Sequence, residues 1–421
     1  MLNPFSPPSP PRGRCRRAHL PRGSIVASLA ALLLLGPALT GCGGSSGSSP
    51  PPGGGGADDD TIAHVTAGGY TALALDGDGD VLGWGYNRQG ELGDGTLTDR
   101  STPVPVTMPP GVSFDQLSAG FFYSLALDEG GQAWAWGNPQ GTGPSDTTLH
   151  REPVRVTMPN ATIFTLVSAG DGHSLALDQN GRAWGWGLNS YGQVGDGSTT
   201  DRTQPVPVDM PVGVRFTTVA AGDLQSAALD QDGAIWVWGS DSEDMFGGGA
   251  DDRMKTPVQV TPPVLGLTFQ AIDVGSGGVA IDENGDAWDL WWSYFNDAWS
   301  QQPFERVPMP SNPDGPGTVR FTQVAMSWDH RLALDEDGRV WAWGSNWAGQ
   351  LGDGTFETRE DALVRVDLPE GVSVTRVAAG QDVSFALDED GRVWAWGYND
   401  FGSLGNGTTT DSATPVQVAI P

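Results

Sequence analysis

Seven times in this chain an aspartate is followed at fixed distance by a pair of large apolar residues. The aspartates are Asp76, Asp128, Asp178, Asp230, Asp282, Asp335 and Asp388, spaced 52, 50, 52, 52, 53 and 53 residues apart. Six and eight residues later come Leu82/Trp84, Trp134/Trp136, Trp184/Trp186, Trp236/Trp238, Trp288/Leu290, Trp341/Trp343 and Trp394/Trp396. Twelve of the 17 tryptophans therefore occupy two repeat positions, which makes them parts of a scaffold. Leu332 to Thr355 shows the unit: a strand (LAL), a turn (DEDG), a strand (RVWAWG) and a glycine-rich loop. Alternation in each strand has period two, and Asp-x-x-Gly suits a hairpin because Gly accepts positive φ. A single hairpin cannot bury two indoles, so each unit needs its neighbours.

A repeat of about 50 residues made of strand and turn predicts an all-β protein, a seven-bladed β-propeller of four-stranded blades. Most units also carry a Pro-Val-x-Val run, as at Pro103 to Val106 and Pro415 to Val418, whose proline fits an edge strand. The last unit stops at Pro421, and Thr61 to Val65 resembles the strand that should come next. This phase predicts a ring closed by pairing of the N- and C-terminal strands, the first completing the blade that the last leaves unfinished.

Met1 to Gly41 carries five arginines (Arg12, Arg14, Arg16, Arg17, Arg22), no acid, and an apolar run from Ile25 to Leu39. The run is too short for a membrane helix and reads as a signal-peptide core. Leu39-Thr40-Gly41-Cys42 resembles the bacterial lipobox, which implies acylation of Cys42. Residues 1–41 are then a lipoprotein signal peptide, 42–60 a lipidated Cys and Gly/Ser/Pro-rich tether, and 61–421 the propeller. Two or more acyl chains anchor stably, at about 0.8 kcal/mol per buried methylene. The expected location is the bacterial cell envelope, at the outer membrane or cell surface.

Cys15 and Cys42 are the only cysteines, so no disulfide framework is expected. Loss of five arginines from 22 Lys+Arg leaves 17 against 51 acids, a net charge of −34. A surface that neutralises phosphates is excluded in practice; nucleic acid is not an expected partner, and Lys255 is the only lysine. The five histidines (His19, His64, His150, His173, His330) show no ligand spacing, so neither a metal nor a cofactor is expected. Asp76-Gly-Asp-Gly-Asp80 has the aspartate alternation of a calcium loop but occupies the hairpin-turn position.

Ala-Gly, three variable residues, Ser-Leu-Ala-Leu, a turn, Trp-x-Trp-Gly and Asn-x-x-Gly-Gln-Leu-Gly-Asp-Gly together resemble the regulator of chromosome condensation repeat over Thr61 to Pro421. The resemblance implies a seven-bladed propeller and does not by itself imply a function. The family's founder is a nuclear nucleotide-exchange factor, a role that an acidic, exported, lipidated chain does not fit.

Departures from the repeat mark the candidate site. Unit five replaces its polar loop with a run containing Trp291, Trp292, Tyr294, Phe295 and Trp299, and unit four departs at Phe246. Hairpin counting puts these loops on the face that carries Phe121-Phe122-Tyr123 and Trp328. Exposed aromatics among acids suggest an interface, so these residues of blades four to six form the expected contact. The bland reading is that blade five repacks around a lost Trp-Gly strand. The resulting expectation is a non-catalytic, membrane-anchored scaffold binding a protein or glycan. The alternatives are a secreted-type enzyme inhibitor, or a glycan-active enzyme with an acid pair in the propeller channel.

Overall fold

The computed structural model describes residues 61–139, 148–159, 162–241, 253–290, 304–311 and 317–421. Seven four-stranded antiparallel sheets follow one another along the chain, at 62–105, 114–155, 164–207, 216–259, 269–306, 321–365 and 374–417. These are blades one to seven. In each, consecutive strands are hydrogen-bonded neighbours, from an innermost first strand to an outer fourth. The first strands of all seven blades line a central cavity of about 180 Å³.

The expected blade number and strand number hold, but the expected closure does not. Ile62–Gly68 pairs with Thr71–Asp76 in blade one, and Ser412–Gln417 pairs with Val393–Gly397 in blade seven. Every blade is thus complete within one contiguous segment. Only Gly69 and Tyr70 separate the first strand from the second, and so short a connection selects the local hairpin. The ring closes instead by the lateral contacts that join the other blades. Ile62 and Val65 pack with Leu387, Val393 and Val418 of blade seven, and Trp84 Nε1–H donates to the Ser403 carbonyl at 3.0 Å.

That indole bond recurs around the wheel. Trp136, Trp238 and Trp396 donate to the carbonyls of Glu91, Gln193 and Gln350 in the preceding blade, at 2.6, 2.8 and 2.8 Å. These indoles are fully buried. In the loop that presents the carbonyl, Gly195 has φ 80°, and a Cβ there would lie 2.7 Å from Trp238 Nε1. Glycine is needed twice at that position, for backbone conformation and for close approach.

The first tryptophan of each pair serves its own blade. Asp230 Oδ1 accepts the backbone N–H groups of Asp232 and Ala234, both at 2.9 Å, while Oδ2 accepts Trp236 Nε1–H at 2.8 Å. Asp128, Asp178, Asp282, Asp335 and Asp388 repeat this arrangement. In blade one Leu82 replaces the indole, and Asp76 accepts only turn N–H groups, from Asp78 and Asp80. The candidate calcium loop is a hairpin turn.

Blade five solves the loss of its second tryptophan with local substitutions. Phe304 of the outer strand stacks on Phe269 at 5.6 Å and 13°. In blades two to four the corresponding phenylalanine stacks on the second tryptophan, as Phe216 does on Trp238 at 6.1 Å and 8°. At the next junction Asp289 Oδ2 accepts Trp343 Nε1–H at 3.3 Å, and Arg331 Nε lies 3.1 Å from Asp289 Oδ1. Arg331 stands where other blades place a serine that donates to the same loop carbonyl, such as Ser226 to Gln193 at 2.8 Å. A charged pair therefore replaces a neutral junction between blades five and six.

Candidate functional site

Chain direction sorts the connections onto two faces. Asp-x-x-Gly turns lie on one face, the turn face. The links between first and second strands, and the loops after the third, lie on the other, which is the mouth of the channel.

Four mouth loops share a rigid frame. Asn87 is fully buried; its Oδ1 accepts Leu92 N–H at 3.0 Å, and its amide donates to Asp94 Oδ1 at 3.0 Å. Asn189, Asn346 and Asn399 hold the same position, each accepting the N–H five residues on at 2.9 Å. This explains Asn-x-x-Gly-Gln-Leu-Gly-Asp-Gly as loop architecture. Its unconstrained positions and flanks are where aromatic side chains emerge: Tyr86, Trp347, Tyr398 and Phe401.

These rings join those of the inner links into one chain of contacts. Trp347 lies 5.6 Å from Tyr398, which lies 5.1 Å from Tyr70 and 6.0 Å from Phe401. Phe401 meets Tyr86 at 5.1 Å, Tyr86 meets Phe122 at 6.4 Å, and Phe122 meets Phe121 at 4.4 Å. Phe121 of blade two then stacks on Trp328 of blade six at 5.9 Å, reaching across the channel mouth. Eight rings thus run through blades six, seven, one and two. Trp347 is 54 % exposed, Trp328 41 % and Phe122 37 %, so the belt presents apolar surface to solvent. Arg88 lies over Tyr86 and Phe401, 5.7 and 5.5 Å from their centres, and pairs with Asp99 at 3.3 Å.

Carboxyl groups flank the belt. Asp382 adopts φ 56° and is buried; it accepts Trp347 Nε1–H at 2.9 Å, Gln350 Nε2–H at 3.1 Å and Tyr70 O–H at 3.5 Å. Burial, reinforced by the charge of Asp329, pushes its carboxyl up to about 6. Burial and the neighbouring Asp382 push Tyr70 up to about 12. On the other side of the mouth, Asp171 and Asp223 are hydrogen-bonded to one another. Burial raises both, and the charge of Asp171 adds to the rise at Asp223.

Deeper in the channel, polar groups tie blades together. Ser168 Oγ accepts Ala221 N–H at 2.9 Å, and Asp273 Oδ2 accepts Met326 N–H at 2.8 Å. Burial pushes Asp273 up to about 6. His64, His173 and His330 are buried and pushed down to about 3, chiefly by desolvation. His173 and His330 sit at blade junctions, 2.8 and 2.9 Å from the hydroxyls of Ser226 and Ser384. Among the described residues no group of three or more His, Cys, Asp or Glu side chains is arranged to hold a metal ion. No helix among them is long and apolar enough to cross a membrane.

Of the site residues expected from sequence, Trp328 lies in the belt. Trp291, Trp292, Tyr294, Phe295, Trp299, Phe246 and Cys42 lie outside the described residues. The belt members Tyr70, Tyr86, Trp347, Tyr398 and Phe401 escaped the sequence reading. Their signal was present, as aromatics beside the loop asparagine or after the Ala-Gly step, but each stands among polar residues rather than in a run.

Seven contiguous blades, four of their junctions carrying an indole-to-carbonyl bond, define a closed propeller of repeated units. The chain belongs to the regulator of chromosome condensation (RCC1) repeat family, whose two repeat profiles together match residues 62–127, 164–229 and 321–421. It is 27% identical over 363 residues to the ultraviolet-B receptor UVR8 of Arabidopsis thaliana, covering 85% of this chain and 70% of the receptor. It is 28% identical over 327 residues to the human E3 ubiquitin-protein ligase HERC2, covering 75% of this chain but 6% of that protein. Among solved structures, human WBSCR16 superimposes with a TM-score of 0.70 at 21% identity, covering 81% of this chain and 94% of that one. Prp20p from Saccharomyces cerevisiae gives 0.67 at 19%, covering 86% and 88%.

Proposed function

We propose that this protein is a non-catalytic binding scaffold, held at the bacterial cell envelope by lipid on Cys42, whose mouth face engages a protein partner. The carrying observation is the eight-ring belt, since a contiguous, partly exposed aromatic surface set on rigid loops is what a recognition face needs. A propeller of similar fold supplies precedent: yeast RCC1 (Prp20) has been crystallised with Kap60 and is described with binding properties to Gsp1p and histones. The carboxyl pair in the channel does not favour glycoside cleavage. Asp171 and Asp223 are in direct hydrogen bond, whereas acid–base cleavage needs carboxyls about 5 Å or more apart to admit the sugar.

The test is affinity capture from an envelope extract with the full-length protein in neutral detergent, repeated with Phe122→Ser/Trp347→Ser. The reading expects a specific protein captured by the native chain and lost with the double variant. Capture that survives the variant would place the interface elsewhere, and recovery of polysaccharide alone would favour the glycan alternative. Radiolabelled palmitate should be incorporated by the native chain and not by Cys42→Ser; equal labelling would remove the anchor.

A further inference from the structure

Resting on that reading, we propose that the partner presents a cationic segment, and that one of its arginine or lysine side chains seats where blades six and seven meet, against Asp329, Gln381 and Asp382. Asp382 accepts from Trp347, Gln350 and Tyr70, and Asp329 accepts from Ser345 and faces Arg331, yet two acceptor atoms of this group stay unmet. Asp329 Oδ1 and Gln381 Oε1 are both buried and neither has a hydrogen-bond partner. Leaving such atoms unmet is costly, because they give up water without gaining a donor. A guanidinium or ammonium group brings donors and no acceptor, which is the complement such a corner lacks.

Its surroundings have the same preference. Trp328 and Trp347, the two most exposed rings of the belt, flank the corner and offer faces to a cation. Asp382 holds a left-handed backbone conformation, the only residue other than glycine to do so among the described residues. That conformation is unfavourable for most side chains and here keeps the carboxyl beneath Trp347 and Tyr70. Asp400, beside Tyr398, adds another carboxylate to the face, while the belt's Arg88 is paired with Asp99. A chain of net charge −29 disfavours a second copy or a nucleic acid as occupant and attracts a basic segment.

The test uses fluorescence anisotropy on the full-length protein in neutral detergent. Probes are fluorescein-labelled nona-arginine and a Gly/Ser peptide of equal length. Nona-arginine should bind at least tenfold more tightly than the neutral peptide. Asp329→Asn/Asp382→Asn should reduce that affinity at least tenfold, asparagine being tolerant of the backbone at 382. Glu129→Gln/Glu389→Gln on the turn face, with the same change in charge, should alter it less than twofold. Gln381→Met removes an orphan acceptor without touching a carboxylate and should weaken binding severalfold. Equal losses on both faces would reduce the attraction to diffuse charge and overturn the proposal, as would indifference to peptide charge. If nona-arginine fails to bind while Phe122→Ser/Trp347→Ser still abolishes partner capture, the cationic assignment falls and the scaffold reading stands. Capture insensitive to those rings would sink the scaffold reading itself.

Discussion

On the turn face, six blades use the aspartate in one way: one oxygen holds the turn and the other holds the first indole of the blade. On the mouth face the loop frame also repeats, at Asn87, Asn189, Asn346 and Asn399, yet the side chains it presents do not. Tyr86 and Tyr398 each precede the loop asparagine, whereas Trp347 and Phe401 stand one and two residues after it, and the rings meet only because the wheel brings their blades together. A contact made in every blade can be assigned to the wheel. The belt is made once, across four blades, and is the surface that the proposed recognition would use.

The comparison can be broken by mutation. The largest loss should follow removal of a junction indole. Trp238→Ala should cost about 3–5 kcal/mol in denaturant unfolding, a large share of the stability of a typical domain. A loss below about 1 kcal/mol would mean that the junctions do not hold the ring. At the junction of blades five and six, Asp289→Ala leaves Arg331 buried without its carboxylate and should cost about 3 kcal/mol. Asp289→Ala/Arg331→Ser, which restores the serine of other blades, should recover much of that. Additive losses in the double-mutant cycle would show that the two residues act separately.

A smaller effect follows pH. His330 is near 3 folded and near 6.5 unfolded, so below pH 6.5 the unfolded chain takes up the proton first. Its contribution is complete above 6.5 and is lost as pH falls towards 3, about 2 kcal/mol by pH 5. Asp171 and Asp223, raised by burial, act in the opposite sense, so the informative quantity is a difference between proteins. Relative to His330→Gln, the native chain should lose about 2 kcal/mol between pH 7 and 5; a constant difference would contradict the buried neutral imidazole. The smallest stability effect belongs to the belt. Trp347→Ser, which withdraws one of the donors to buried Asp382, should cost no more than about 1 kcal/mol. A larger loss would make the ring a structural element after all.

Blade number, strand number and the burial of the paired tryptophans were legible in the chain because each is written seven times. Closure was misread for a related reason. A repeat can be cut at any phase, and starting at the turn aspartate made Thr61 to Val65 look like a missing fourth strand. Starting at Ile62 gives seven complete blades, and the two-residue link at Gly69-Tyr70 decides between them. The belt was hidden by sequence distance: Tyr70 and Tyr398 lie 5.1 Å apart through ring closure alone. The aromatic run near Trp291 drew notice because it is dense in sequence, while Trp347 and Phe401 stand alone.

The most direct measurement is an oxidative footprint of the protein with and without its captured partner, read ring by ring by mass spectrometry. Protection of Tyr86, Phe122, Trp328, Trp347 and Phe401, with the turn-face residues Met210 and Met309 unchanged, is the result expected of a mouth-face scaffold. Protection confined to the turn face, with those rings as reactive in the complex as alone, would contradict it.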